Sequence, residues 1–251
     1  MRTANPALNE NLFEQHHAAP DTANVMTVQG TINKTAVLLA LLFAAAGWTW
    51  YLALPGGIPD PKAAMPWLIG GLVAGLVLAL VTIFKPRAAP YTAPIYAICE
   101  GLFLGALSAL VQSRVNMEGI VVQAVGLTFG TLFTMLVLYS MRIIRVTEKF
   151  RAGLLAATGA VLLVYVATWV LGFFGVGIPF IHGSGTIGIL FSVVVVVIAA
   201  LNLVLDFDLI ERGAQQGAPK YMEWYGGFAL LVTLVWLYLE ILRLLAKLRQ
   251  R

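Results

Sequence analysis

The stretch Ile187–Leu205 reads IGILFSVVVVVIAALNLVL and runs straight into Asp206, Phe207 and Asp208. Its length decides the class of fold. A run of 18 or more apolar residues matches the roughly 20 residues a helix needs to cross a bilayer. The two aspartates at its end make it informative about function as well. Ionisable side chains in membrane segments are costly, and they usually face a protein interior, an aqueous cavity or an ion path.

Similar runs recur along the 251-residue chain, of which 60% is hydrophobic and only 11% charged. Soluble domains carry about a quarter charged residues. The alternation of a membrane β-barrel, in segments of ~10 residues, is missing. The expected fold is therefore an all-α polytopic membrane protein. Seven spans are predicted, at about 35–54, 66–84, 93–112, 120–140, 153–175, 186 to the aspartates, and 224–245. Met1–Lys34 is polar and reads as a disordered tail without the basic start and apolar core of a signal peptide. Residues 35–251 form the transmembrane domain.

Loop charges orient the chain. Arg2, Lys34, Lys85, Arg87, Arg142, Arg145, Lys149, Arg151, Arg212 and Lys220 fall on one side, against Lys62 and Arg114 on the other. This predicts a cytoplasmic N-terminus. Arg243, Lys247, Arg249 and Arg251 oppose the rule if the seventh span crosses fully. The net charge of +4 is explained by these loop residues and does not suggest nucleic acid binding. Cys99 is alone, and His16, His17 and His182 lie in the tail and a loop, so no thiolate or histidine metal site is expected. His182-Gly-Ser-Gly185 superficially resembles a serine site but reads as a glycine-rich turn. No catalytic residues and no cofactor are expected.

Spans two, three and four each carry GxxxG, at Gly71/Gly75, Gly101/Gly105 and Gly126/Gly130. The spacing predicts close helix packing inside one bundle. No internal repeat of the inverted-transporter kind is detected.

Five acidic residues lie in or near spans: Glu100, Asp206, Asp208, Glu223 and Glu240. The first four are predicted at one membrane level. Glu240 lies roughly 25 Å further along span seven at helical rise, where Arg243 at i+3 offers a local partner. Asp206 and Asp208 are about 200° apart on a helix and face opposite ways. Asn202, at i−4, shares the Asp206 face. Arg212, at i+4, is positioned to answer Asp208.

Three stretches together resemble the Bax inhibitor-1 (TMBIM) superfamily. They are Ala93–Gly105 (APIYAICEGLFLG), Phe207-Asp208 at the end of span six, and Leu237–Leu245. The resemblance covers roughly residues 30–251. The long tail and the Gly217-Ala218-Pro219 turn are similar to a bacterial branch, which implies the inner membrane. The resemblance implies a seven-helix bundle with the last helix central. It also implies a pH-sensitive calcium leak, with calcium and protons as the ions. One bacterial branch is associated with a membrane-bound AAA protease, so a non-transporting regulator of such a partner is the alternative. Channel-like members pair an aspartate on helix six with one on helix seven. The first corresponds to Asp208. A gapless match puts Thr233 at the second position, and a shifted match puts Glu240 there. Hairpin geometry about Ala218-Pro219 favours Thr233. Glu100, Asp206 and Glu223 are then further candidates for ion binding or pH sensing, and Asp206 and Asp208 for weak calcium contacts.

Overall fold

The computed structural model describes residues 24–54, 60–115, 118–174, 183 and 185–250. Among them are seven helices, each long and apolar enough to cross a membrane. They are α1 (Val28–Ala53), α2 (Pro61–Phe84), α3 (Ala89–Val115), α4 (Ile120–Ser140), α5 (Glu148–Phe173), α6 (Thr186–Gln215) and α7 (Met222–Arg249). A single 3-10 turn, Pro86–Ala88, joins α2 to α3. The protein is a polytopic membrane bundle.

The last helix is the centre. α7 packs against α1, α3, α4 and α6, and Leu231, Leu237 and Glu240 are almost wholly enclosed. The outer helices present large apolar side chains, such as Val122, Phe133, Leu163 and Trp169, to the surroundings. In lipid this arrangement is the low-energy one, because hydrocarbon outside a helix costs nothing and packing decides which faces meet.

Close packing of α1, α2 and α3 rests on glycine. A Cβ at Gly71 of α2 would lie 2.7 Å from the Cys99 carbonyl oxygen of α3, and one at Gly101 would lie 2.8 Å from the Ala45 Cβ of α1. Neither helix pair could approach this far with a side chain in the way. The third GxxxG behaves differently. Gly126 and Gly130 of α4 have nothing within 4 Å of an added Cβ. They face outward, which corrects the expectation that all three motifs pack within the bundle.

Two boundaries also differ from the sequence reading. α3 begins at Ala89 rather than near Ala93; Pro90 falls in its first turn, where a missing N–H is tolerated, and Pro94 is accommodated inside the helix. α1 begins at Val28, so 28–34 is helix and not tail; residues 1–23 lie outside the described residues. The reason for the early start is local chemistry. Thr27 is an N-cap whose hydroxyl accepts from the Gly30 amide at 2.9 Å. The preceding backbone is tied down too. Met26 N donates to the Ala218 carbonyl at 2.7 Å, Lys220 N donates to the Asn24 carbonyl at 2.9 Å, and Val25 bridges Pro219. The chain entering α1 is thus strapped across the α6–α7 turn.

α7 runs as a helix to Arg249, so the basic C-terminal residues do not mark an incomplete span. Arg243 and Lys247 are spent inside the bundle, as described next.

Candidate functional site

α6 carries its polar groups between Asn202 and Glu211, and they meet α5, α7 and α4. Asn202 Nδ2 donates to Thr158 Oγ1 of α5 at 2.9 Å. Asp206 has the Thr233 hydroxyl of α7 as a hydrogen-bond partner. Asp208 meets Arg212 on its own helix, with Nε 3.0 Å from Oδ1 and 2.9 Å from Oδ2, and Arg151 of α5 at 4.0 Å. Glu211 accepts from the Tyr139 hydroxyl of α4 and from Gln215 Nε2. The opposed faces of Asp206 and Asp208 are as the 200° spacing requires. The pairing with α7 is not. Thr233 stands against Asp206, so the expected Asp208–Thr233 contact is displaced by two residues. The face that includes Asp208 turns to α5, where Arg151 waits.

These two carboxylates differ in electrostatics. Asp208 is buried, but it holds a charge-assisted pair with Arg212 and a second cation nearby. Asp206 makes no ion pair among the described residues. Its Oδ2 is sealed from solvent and accepts no hydrogen bond among the described residues. Thr233 divides its hydroxyl between Asp206 and its own Ala229 carbonyl, which lies at 3.3 Å. Asp206 lies roughly 14 Å along α6 from Gln215, and Thr233 roughly 17 Å along α7 from Met222, at about 1.5 Å per residue. The carboxylate therefore sits where the apolar run Ile187–Leu205 ends, more than two turns before the end of α6.

The remaining acidic candidates lie elsewhere. Glu100 of α3 is buried with Tyr96, one turn earlier, as its hydrogen-bond partner. It is seated over Gly75 of α2, where an added Cβ would be 3.1 Å from Oε1. Glu223 accepts from the Thr27 amide at 3.1 Å and the Thr27 hydroxyl at 3.0 Å, so it completes the cap of α1. Glu240 accepts from Tyr165 of α5 at 2.9 Å and from Arg243 at 3.1–3.2 Å. Arg243 also donates to the Tyr165 hydroxyl at 2.5 Å and lies over the Tyr165 ring. The shifted match of Glu240 to Asp208 is therefore wrong in space. Its partner is Arg243, the i+3 residue. The predicted common level of Glu100, Asp206, Asp208 and Glu223 does not become a cluster. Among the described residues no group of three or more His, Cys, Asp or Glu could hold a metal. His182 and Ser184 lie outside the described residues.

Several participants were not singled out from sequence. Arg151 was counted as a loop charge, and Tyr165, Tyr139 and Thr158 sit in apolar runs with no spacing signal. Lys247 is the plainest omission. Only 5% exposed, its ammonium donates to the Gly188 carbonyl at 3.0 Å and Ser192 Oγ at 2.8 Å, joining α7 to the start of α6. It therefore carries none of the weight of a free topology signal.

No curated protein and no solved structure matches the chain. A family model described as Bax inhibitor 1 like matches residues 5–250, and the chain belongs to that family.

Proposed function

We propose that this protein is a cation leak pathway of a bacterial inner membrane, with calcium as its ion, a cytoplasmic N-terminus and control by proton. The single observation that carries the reading is Asp206. An acidic side chain at that depth, with one oxygen unpartnered among the described residues, is what a passing cation needs and what a purely structural role does not. Asp208 then acts as the closing element. Held by Arg212 and Arg151, it ties α6 to α5 beside the pathway, and breaking those pairs loosens that tie. Glu100, Glu223 and Glu240 are bound by neighbours and serve the bundle rather than the ion.

A second reading draws on the strap of residues 24–27 over the α6–α7 turn. Through it the tail is mechanically joined to the helix hairpin that bears Asp206 and Asp208. A membrane partner, such as a membrane-bound AAA protease, gripping the tail would act on that hairpin, and the chain would then regulate without conducting.

Calcium flux into liposomes containing the purified protein, followed across pH, tests both readings. Flux above empty liposomes that survives removal of residues 1–23 is the expected result. Its absence, with the protein folded and inserted, rejects conduction and leaves the regulatory reading.

A further inference from the structure

α1 and α4 meet through the tilted ring pair of Phe43 and Phe129, whose centroids lie 5.8 Å apart, and beside that pair a cavity of about 240 Å³ opens toward the side of the bundle. Its floor is α7 and α3. The walls are Leu39, Phe43, Gly47, Val125, Phe129 and Leu234, with Trp50 and Val121 at one end. An apolar cavity of ~150 Å³ already stays dry and binds benzene. This one is larger.

The three hydroxyls in the wall are already satisfied. Ser108 Oγ and Tyr238 OH lie 2.6 Å apart and pair with each other, and Thr128 Oγ1 donates to the Ala124 carbonyl. None of the three asks for water, an ion or a hydrogen-bonding ligand. The mouth is continuous with surface that already faces lipid. Phe43 at its edge is exposed, as are Val122 and Leu127 on the same α4. Its length is also telling. From Trp50, in the last turn of α1, to Leu39 is roughly 16 Å at helical rise. One leaflet of hydrocarbon is about 15 Å deep, half of ~30 Å. The cavity therefore begins at the membrane rim on the side of the α3–α4 turn and ends near the bilayer middle.

We infer that this cavity is a lateral site for one acyl chain of a phospholipid from the leaflet on the α3–α4 side. The lipid enters between α1 and α4, and its chain lies against α7. The site is separate from Asp206 and Asp208 and stands whether or not the protein conducts.

Native mass spectrometry of the whole chain, released from nanodiscs made of one phosphatidylcholine, reads the bound lipid directly. Gly47 and Val125 line the space from opposite walls. Gly47 has nothing within 4 Å of an added Cβ, and so does Gly126, which is not part of the lining. The expected result is an adduct of one phospholipid on the parent and on Gly126→Phe, lost in Gly47→Phe and in Val125→Phe. Thermal denaturation identifies the variants that remain folded, and either filling variant suffices. An equal adduct on all folded variants overturns the site. So does a parent without lipid, or a lipid-free dimer of chains that either filling variant disrupts.

Discussion

Glu223, at the start of the last helix, accepts hydrogen bonds from both the amide and the hydroxyl of Thr27, the residue that caps the first. The two residues are 196 positions apart in sequence. Glu223 is 1% exposed. Its carboxylate lies at the positive end of the α1 dipole, where an anion is stabilising. The interaction is thus a helix cap supplied by a different helix.

Removing it should be costly. Glu223→Ala is expected to lose about 2–3 kcal/mol, the range for a buried charge-assisted hydrogen bond with its partners left unmet. Glu223→Gln, which keeps one acceptor, should lose less, and Thr27→Ala about 1 kcal/mol as an ordinary cap deletion. Denaturation of the detergent-solubilised protein measures all three. Equal stability of parent and Glu223→Ala would refute the capping role.

The Glu240–Arg243 pair calls for a double-mutant cycle. Taking away one partner of a buried ion pair costs about 3–5 kcal/mol, while replacing both by apolar groups is often close to neutral. Arg243→Leu should therefore be strongly destabilising and Glu240→Leu/Arg243→Leu much less so. Tyr165→Phe removes the hydroxyl shared between them and should be intermediate. Additive losses across the cycle would show that the two side chains act independently.

The glycines offer a contrast within one motif type. Gly101→Ala drives a methyl into α1 and should destabilise by about 1–3 kcal/mol, as overpacking does. Gly126→Ala meets open space and should be neutral or stabilising by about 0.5–1 kcal/mol through helix propensity. Thermal midpoints in one detergent compare them. A similar loss for both would mean that α4 is covered on its Gly126 face.

Glu100 should tolerate Gln but not Lys. The amide keeps an acceptor for Tyr96 within the same volume, whereas a lysine ammonium placed over Gly75 would be buried without the carboxylate it replaces and carry a desolvation cost of several kcal/mol. Expression level and monodispersity of the two variants separate these outcomes. Equal behaviour would mean that the side chain is solvated.

For the leak itself, Asp206→Asn should lower calcium flux and Arg151→Gln should raise it. A factor of about ten corresponds to roughly 1.5 kcal/mol, the scale of one charge-assisted hydrogen bond. Thr233→Asp places a second carboxylate against the first, and two such groups titrate as a coupled pair. Flux should then depend more steeply on pH. Proteoliposomes holding each variant provide the assay. An effect of Asp208→Asn alone, with Asp206→Asn silent, would return the pathway to the other face of α6.

What sequence reveals here is depth and angle on each helix. The apolar runs gave seven spans because their length is set by the bilayer, and the two aspartates were separable because a helix turns 100° per residue. Which face meets which neighbour is another matter. Asp206 rather than Asp208 reaches Thr233 because α5 occupies the Asp208 side, and nothing in the spacing of α6 says where α5 lies. The partners of Glu100 and Glu223 were missed because a level along a helix has no direction. The start of α1 was hidden because its polar first turns, Thr31 and Lys34 included, look like tail until Glu223 is brought alongside. Lys247 was read as a loop charge because a count of basic residues does not distinguish a lysine in water from one buried against a carbonyl.

The position of α7 sets an order for biosynthesis. A ribosome delivers it last, yet α1, α3, α4 and α6 all pack on it. The helices made earlier include one pair, α2 and α3, joined by a short connection and seated together through Gly71. α1 seats on α3 in the same way through Gly101, and the rest of the core forms only after α7 has left the translocation machinery. Until then the start of α1 also lacks its Glu223 cap. A chain halted before Met222 is consequently a set of inserted helices without an axle, exposing Tyr96, Ser108 and Lys34 to whatever quality-control protease patrols the bilayer.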